Sequence, residues 1–321
     1  MPDNINSKKE YTIVPANEGT AYEGLRALWS EVFGDPLLYI DAFYDSFGGD
    51  INGYAVVDET GDVCSALTCY LCGTYENRPV YVSYAICTRE DMRGQGLAAM
   101  LTEHVRDEVT AAGGISIVSP AEPGLEEFYA RLGYEPHFFA AERAVMAPGL
   151  DDEEYEECDE FDIEIEGGGS GVFEPAFDLQ RVSPEVYNMY REAFLAGQPH
   201  VELSDSMLGL IEKESEGGRG LYAINRGDAV CVIGESGAGT VVMTELVLNP
   251  ILEELSLDID TEIAAMTAAH FGAFETVFRT PGAGRCQSMA AGLPERSGEG
   301  DETEEEYGPA LWLPYFGFPV D

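Results

Sequence analysis

Residues 80–112 read as a strand, a glycine turn carrying an arginine, and a helix, and no other stretch restricts the possible folds as tightly. Residues 80–88 are rich in Tyr, Val and Ile with no internal Pro or Gly, as suits the centre of a sheet. Leu97, Met100, Leu101, Val105 and Val109 recur at spacings of three and four, which puts them on one buried helix face, and Gly113-Gly114 ends that helix. Between strand and helix lies Arg93-Gly94-Gln95-Gly96-Leu97-Ala98. A helix start leaves several amide hydrogens without partners, and glycine lets an anion approach them with no Cβ in the way. Arg93 adds a positive fork, so the turn reads as a cradle for a diphosphate, although such a turn also serves simply to reverse the chain. Neither the three-glycine dinucleotide order nor Gly-Lys-Ser/Thr is present, so the cradle is not one of those nucleotide loops.

A second motif lies downstream. The strand expected at residues 115–119 is followed by Pro120-Ala121-Glu122-Pro123 and a short helix. In that helix Leu125, Phe128, Tyr129 and Leu132 make an apolar stripe, and Gly133 falls where a left-handed cap belongs. Tyr129 alone would read as a core residue on that stripe. Together, however, the two segments resemble the acyl-CoA-binding and catalytic motifs of the GNAT superfamily of N-acetyltransferases. Arg93, Gly96 and Ala98 fit Arg-x-x-Gly-x-Ala, and Phe128, Tyr129, Gly133 and Tyr134 fit Phe-Tyr-x-x-x-Gly-Tyr, in the expected order and placement.

The resemblance implies an α+β fold, the GNAT acyl-CoA N-acyltransferase fold, with a mixed twisted sheet flanked by helices. It implies acetyl-CoA as acyl-donor substrate and no metal. Arg93, Gly94, Gln95, Gly96, Leu97 and Ala98 would hold the pyrophosphate, and the backbone of Ile86, Cys87 and Thr88 the pantetheine arm. A main-chain amide near Ile86 or Cys87 would meet the oxyanion, and Tyr129 would protonate the departing thiolate. Phe33, Tyr84 and Asp321 are the candidates on the acceptor side, while Phe43 and Tyr44 read equally as acceptor wall and as core. Two positions depart from the family pattern: Glu90 stands where many relatives carry proline, and Glu122 near the place of an asparagine.

The rest of the first half follows that fold, with a strand at 11–16, helices at 22–33 and 37–47, and a hairpin of 53–58 and 63–74 around Glu59-Thr60-Gly61-Asp62. Asn77-Arg78-Pro79 is the expected turn into the cofactor strand, and residues 138–146 the strand that closes the sheet. The chain divides into a catalytic domain at 1–148, an acidic and Gly-rich linker at 149–178, and a degenerate GNAT-like domain at 179–321. Leu28 to Phe33 has an echo in Met189 to Phe194, and Ala85 to Thr88 in Leu246 to Asn249 at the same offset. Where the second copy should have its glycine turn it has Glu253-Glu254-Leu255-Ser256, which offers carboxylates to a phosphate. The plan resembles tandem bacterial GNAT proteins. The aromatic run at 312–321 reads as a buried edge strand or, alternatively, as an arm that brings Asp321 to the substrate amine.

The formal charge of -43, with Lys8, Lys9 and Lys213 the only lysines, argues against nucleic-acid binding. It suits a solvated surface, or the attraction of cationic amines. The seven cysteines, scattered and odd in number, suit free thiols in a reducing compartment; Cys69 and Cys72 lie three apart in a strand and so face opposite ways. No run is long and apolar enough for a bilayer and no secretory leader opens the chain, so a cytoplasmic protein without a membrane partner is expected. The expected activity is N-acyl transfer, specifically acetyl transfer from acetyl-CoA to the primary amine of a small molecule or peptide, cationic acceptors included. The alternative is a non-catalytic CoA-binding sensor or assembly module. An oligomer is compatible with the sequence but not readable from it.

Overall fold

The computed structural model describes residues 10–122, 124–148, 177–213, 219–225, 227–237, 239–253, 258–282 and 284–293. The first half runs β1 (Thr12–Pro15), α1 (Gly19–Phe33), α2 (Leu37–Phe47), β2 (Ile51–Val57), β3 (Val63–Tyr75), β4 (Arg78–Thr88), α3 (Leu97–Ala111), β5 (Ile115–Val118), α4 (Gly124–Arg131) and β6 (Glu135–Met146). The second runs β7 (Leu179–Arg181), α5 (Pro184–Phe194), β8 (Glu202–Leu203), α6 (Asp205–Lys213), β9 (Gly220–Ile224), β10 (Ala229–Gly237), β11 (Thr240–Leu248), α7 (Pro250–Glu253), α8 (Ile259–Phe271), β12 (Glu275–Pro281) and β13 (Arg285–Ala291).

The expected elements of the first half are present, with one shift at the turn into β4. Arg78 and Pro79 are already in the strand, paired with Tyr75 and Thr74, and the turn is Glu76-Asn77. Both turn residues have positive φ, 50° and 61°, as a two-residue hairpin turn requires to match the strands' twist. Helices cover both faces of the sheet. On one face α1 and α2 bury Leu28, Trp29, Ile40, Phe43 and Phe47 against Tyr70 of β3. On the other, α3 buries Leu97, Leu101, Val105 and Val109 against Val56, Leu67 and Cys69, with Met100 only partly covered. Each such aliphatic side chain contributes about 1.5–3 kcal/mol when fully buried. Cys69 and Cys72 belong to the two opposite cores, as their spacing along a strand dictates.

The sheet does not close after β6. Its order is β1-β2-β3-β4-β5-β13-β6-β12-β11-β10-β9-β7, with β8 on β3, so a strand from the far end of the chain lies between β5 and β6. β13 is antiparallel to both neighbours, pairing Ala290 with Ile117 and with Glu135. β6 in turn pairs Phe278 of β12 with Arg143. Residues 138–146 are therefore interior rather than closing, because backbone groups on both edges of β6 find partners in the second half. Read inward from either end, the sheet repeats one pattern: four strands, a fifth in parallel pairing, then the other half's last strand, then its own.

Candidate active site

β4 and β5 pair in parallel only from Val80 with Ile115 to Val82 with Ile117. β5 ends at Val118 while β4 runs on to Thr88, so the strands part company and leave a cleft at their C-terminal ends. On the other side β4 has a bulge: Tyr84 pairs with Thr68 and Cys87 with Ala66, leaving Ala85 and Ile86 opposite Leu67 alone. Ala85 takes φ 49°, an unfavourable value for a residue with a Cβ, and the bulge takes this part of the backbone out of the regular β3 ladder.

A cavity of about 460 Å³ occupies the cleft, with Ala85 and Ile86 in its wall. Tyr84 and Trp29 line it, their rings 5.4 Å apart, and Phe33 forms part of the rim at 52% exposure. Phe43 and Tyr44 do not line it. Phe43 is buried at 1% between Trp29, Phe47 and Tyr70, and the Tyr44 hydroxyl lies 2.9 Å from the Thr68 hydroxyl; both belong to the core. Asp321, Glu254, Leu255 and Ser256 lie outside the described residues, as do most of the proposed linker and the aromatic run at 312–321.

Tyr129 reaches the cavity from α4 and is 8% exposed. Burial alone pushes its phenol up to about 12, so it remains protonated throughout the neutral range. Gly133, at φ 82°, supplies the expected left-handed stop, and the Arg106 guanidinium donates to the Leu132 carbonyl beside it. Tyr134 points elsewhere. Its hydroxyl lies 2.9 Å from that of Ser116, which ties the segment between α4 and β6 to β5.

The glycine turn stands at the mouth of α3. A 3-10 turn at Glu90–Met92 leads into Arg93, and Gly94 and Gly96 take φ 76° and 80°. Gly96 is the N-cap, no side chain caps the helix, and the first helical bond runs from the Met100 amide to the Gly96 carbonyl. The amides of Leu97, Ala98 and Ala99 therefore belong to the open first turn. A Cβ placed on Gly94 or Gly96 would meet nothing within 4 Å, so the space in front of the turn is empty and accessible. Arg93 donates from Nε to the Thr88 carbonyl at 3.3 Å, which ties it to the end of β4, and no ion-pair partner holds it among the described residues. Thr88 itself is 2.9 Å from the Ser65 hydroxyl, while Cys87 is buried, its thiol pushed up to about 12. Their side chains are structural, and neither residue lines the cavity. Open amides, glycines and a guanidinium anchored only through its Nε to a main-chain carbonyl form a set suited to a diphosphate.

Several cavity residues escape a reading of the sequence. Asp35 accepts from Trp29 Nε1 at 2.6 Å just beyond the end of α1. Arg279, Arg285 and Gln287 come from β12 and β13, and Arg279 pairs with Glu142 of β6 at 2.8 Å. No local pattern announces them, since only the nonlocal pairing of β13 with β5 and β6 brings them there. The second half's long helix differs from α3: Asp258 caps α8, taking the Thr261 amide at 3.3 Å and its hydroxyl at 2.6 Å. Its first turn already has a carboxylate. Among the described residues no group of His, Cys, Asp or Glu is arranged to hold a metal ion, and no helix is long and apolar enough to cross a membrane.

Residues 49–136 match the family model of the acetyltransferase (GNAT) domain. Among solved structures, a probable N-acyltransferase from Enterococcus faecalis superposes with a TM-score of 0.61 at 12% identity, over 88% of this chain and 72% of its own. GCN5-related N-acetyltransferases from Kribbella flavida and Anabaena variabilis both give 0.59; the former is 15% identical over 88% of this chain and 71% of its own, the latter 11% over 84% and 66%. These likenesses extend the shared fold well beyond residues 49–136. Comparison with curated proteins gives no match.

Proposed function

We propose, from the match of residues 49–136 to the acetyltransferase (GNAT) domain, that this chain is an acyl-CoA-dependent N-acyltransferase, moving an acetyl group from acetyl-CoA to a primary amine. The observation that carries the reading is the joint placement of an open, uncapped α3 mouth beside the end of β4 and a buried phenol in the cavity where β4 and β5 part. Arg93 and the amides from Gly94 to Ala98 hold the pyrophosphate. Main chain at Ile86 to Thr88 carries the pantetheine arm into the cleft, and an amide freed by the β4 bulge, near Ile86 or Cys87, donates to the thioester oxygen.

The amine nitrogen attacks the thioester carbonyl, a C–N bond forms and the C–S bond breaks. Tyr129 gives its phenolic proton to the leaving thiolate and recovers one from solvent. The proton lost by the amine leaves through cavity water, with Asp35 the carboxylate nearest to hand on the α1 side. Phe33 and Tyr84 form the acceptor wall. The second half acts as a degenerate GNAT-like domain that binds no CoA of its own, in keeping with its mirrored strand order and its carboxylate-capped α8.

Calorimetric titration with acetyl-CoA tests the cradle. Wild type should bind and Arg93→Ala should bind at least ten-fold more weakly; failure of wild type to bind removes the proposal. Thiol release with a panel of primary amines then separates a transferase from a protein that only holds CoA.

A further inference from the structure

β13 has an irregularity at the cavity. Cys286 pairs with Phe139 and Ser288 with Phe138, so Gln287 is an extra residue with no place in the ladder with β6. Bulges of this kind re-aim a side chain. Gln287 lines the cavity and is 7% exposed, yet neither Nε2 nor Oε1 has a hydrogen-bond partner. A buried amide with both ends unmet is costly, because the desolvation of each group goes uncompensated. Such a defect at a cavity wall points to a group that arrives from outside.

Two residues along β13, Arg285 also lines the cavity. It is exposed, and among the described residues it has no ion-pair partner, whereas Arg279, across β6 on β12, is matched to Glu142. In a chain of formal charge -43 with only 17 lysines and arginines, an uncommitted arginine at a cavity is a notable allocation of positive charge. Both carboxylates of the lining are already engaged: Asp35 accepts from Trp29 on the α1 side, and Glu142, on β6 two residues from Arg285's partner Ala140, is paired with Arg279. The cavity therefore has a positive, amide-bearing wall on β13 and the β4 bulge on another wall.

We propose that the acceptor is a primary amine that also carries a carboxylate, with the amine facing the β4 bulge and the carboxylate held by Arg285 and the Gln287 amide. The assignment rests on the N-acyltransferase reading and narrows its acceptor to amino-acid-like molecules, in place of the purely cationic amines that the net charge suggests. Arg285 supplies charge and a planar fork matched to a carboxylate, and Gln287 Nε2 supplies a directed donor. The second half of the chain thereby sets acceptor specificity for a cradle built in the first.

The test uses matched pairs differing by the carboxylate, L-phenylalanine against phenethylamine and L-lysine against cadaverine, with the full-length protein. Thiol release from acetyl-CoA should favour the carboxylate member by at least ten-fold in kcat/KM. Arg285→Gln and Gln287→Leu should each bring that ratio towards one, chiefly through KM, and circular dichroism should show both variants folded. Calorimetric titration of the same pairs without acetyl-CoA reads the preference independently of catalysis. If the protein binds no acetyl-CoA yet still prefers the carboxylates, the transferase reading fails and the carboxylate site stands. Equal or better use and binding of the decarboxylated members, or a ratio that survives both substitutions, overturns the proposal while leaving the transferase reading intact.

Discussion

Tyr129 illustrates how one side chain's surroundings decide what it can do. Its burial makes the phenolate costly, so in the proposed reaction the group would enter protonated and give up its proton only to a thiolate formed beside it. Tyr129→Phe keeps the ring and its packing, so acetyl-CoA affinity and melting temperature should stay near wild type while kcat falls about a hundred-fold or more. Equal losses in affinity and kcat would show a packing role instead. The pH dependence follows from the same shift. Tyr129 and Tyr134 are both raised to about 12, so folding favours their protonated forms. Their contribution to stability is complete below the ordinary phenol value near 10 and is lost as pH rises through about 12. Alkaline melts should steepen between those limits, less so for Tyr129→Phe, and no alkaline limb in the wild-type rate near pH 10 should vanish in that variant. Gly96 offers a second test: at φ 80° a Cβ costs about 1 kcal/mol, and it enters the empty space at the cradle. Gly96→Ala should therefore lower stability slightly and weaken acetyl-CoA at least ten-fold by titration.

The helix mouths show why similar elements can carry different chemistry. α3 starts on a glycine with no side-chain cap, and α8 starts on Asp258, whose carboxylate already bonds Thr261. Asp258→Ala removes the cap and should lower the melting temperature slightly, with acetyl-CoA affinity unchanged in calorimetry; a loss of affinity would mean that α8 communicates with the glycine turn. Elements such as α3 and β4 were legible in the sequence because their signals are local: the apolar period of Leu97 to Val109, the β-rich run before it, and glycines where φ must be positive. The glycine turn before α3 and the helix that bears Tyr129 were legible for the same reason. The bulge at Ala85 was not, since alanine carries no mark of a positive φ and only the register with β3 reveals it. Nor was the turn at Glu76-Asn77, where Arg78-Pro79 looks locally more turn-like than the residues that make it. Phe33 and Phe43 look alike in sequence, yet one lies on the cavity rim and the other in the core, because α1 and α2 present them in different directions.

At the scale of the molecule, the exchange of last strands couples the halves. β13 is hydrogen-bonded to β5 and β6, and β6 to β12, so neither half completes its sheet from its own residues. The second half also has its own buried anchor: Arg191 and Glu245, both at 0% exposure, are 3.0 Å apart, and Tyr187 donates to the same carboxylate. A pair like this is strongly destabilising when one partner is removed, because the other is left charged without a match. The sequence division at residue 148 thus marks two units in the order of elements, while the strand pairing predicts a single unit in unfolding. The full chain should melt in one calorimetric transition whose calorimetric and van't Hoff enthalpies agree. A fragment of residues 1–148 would expose the facing edges of β5 and β6 where β13 belongs and lack the β13 wall of the cavity, so it should aggregate or remain partly unfolded. Two well-separated transitions, or a monomeric fragment with full acetyl-CoA affinity and native-like melting, would show that the exchanged strand decorates an independent first domain rather than completing it.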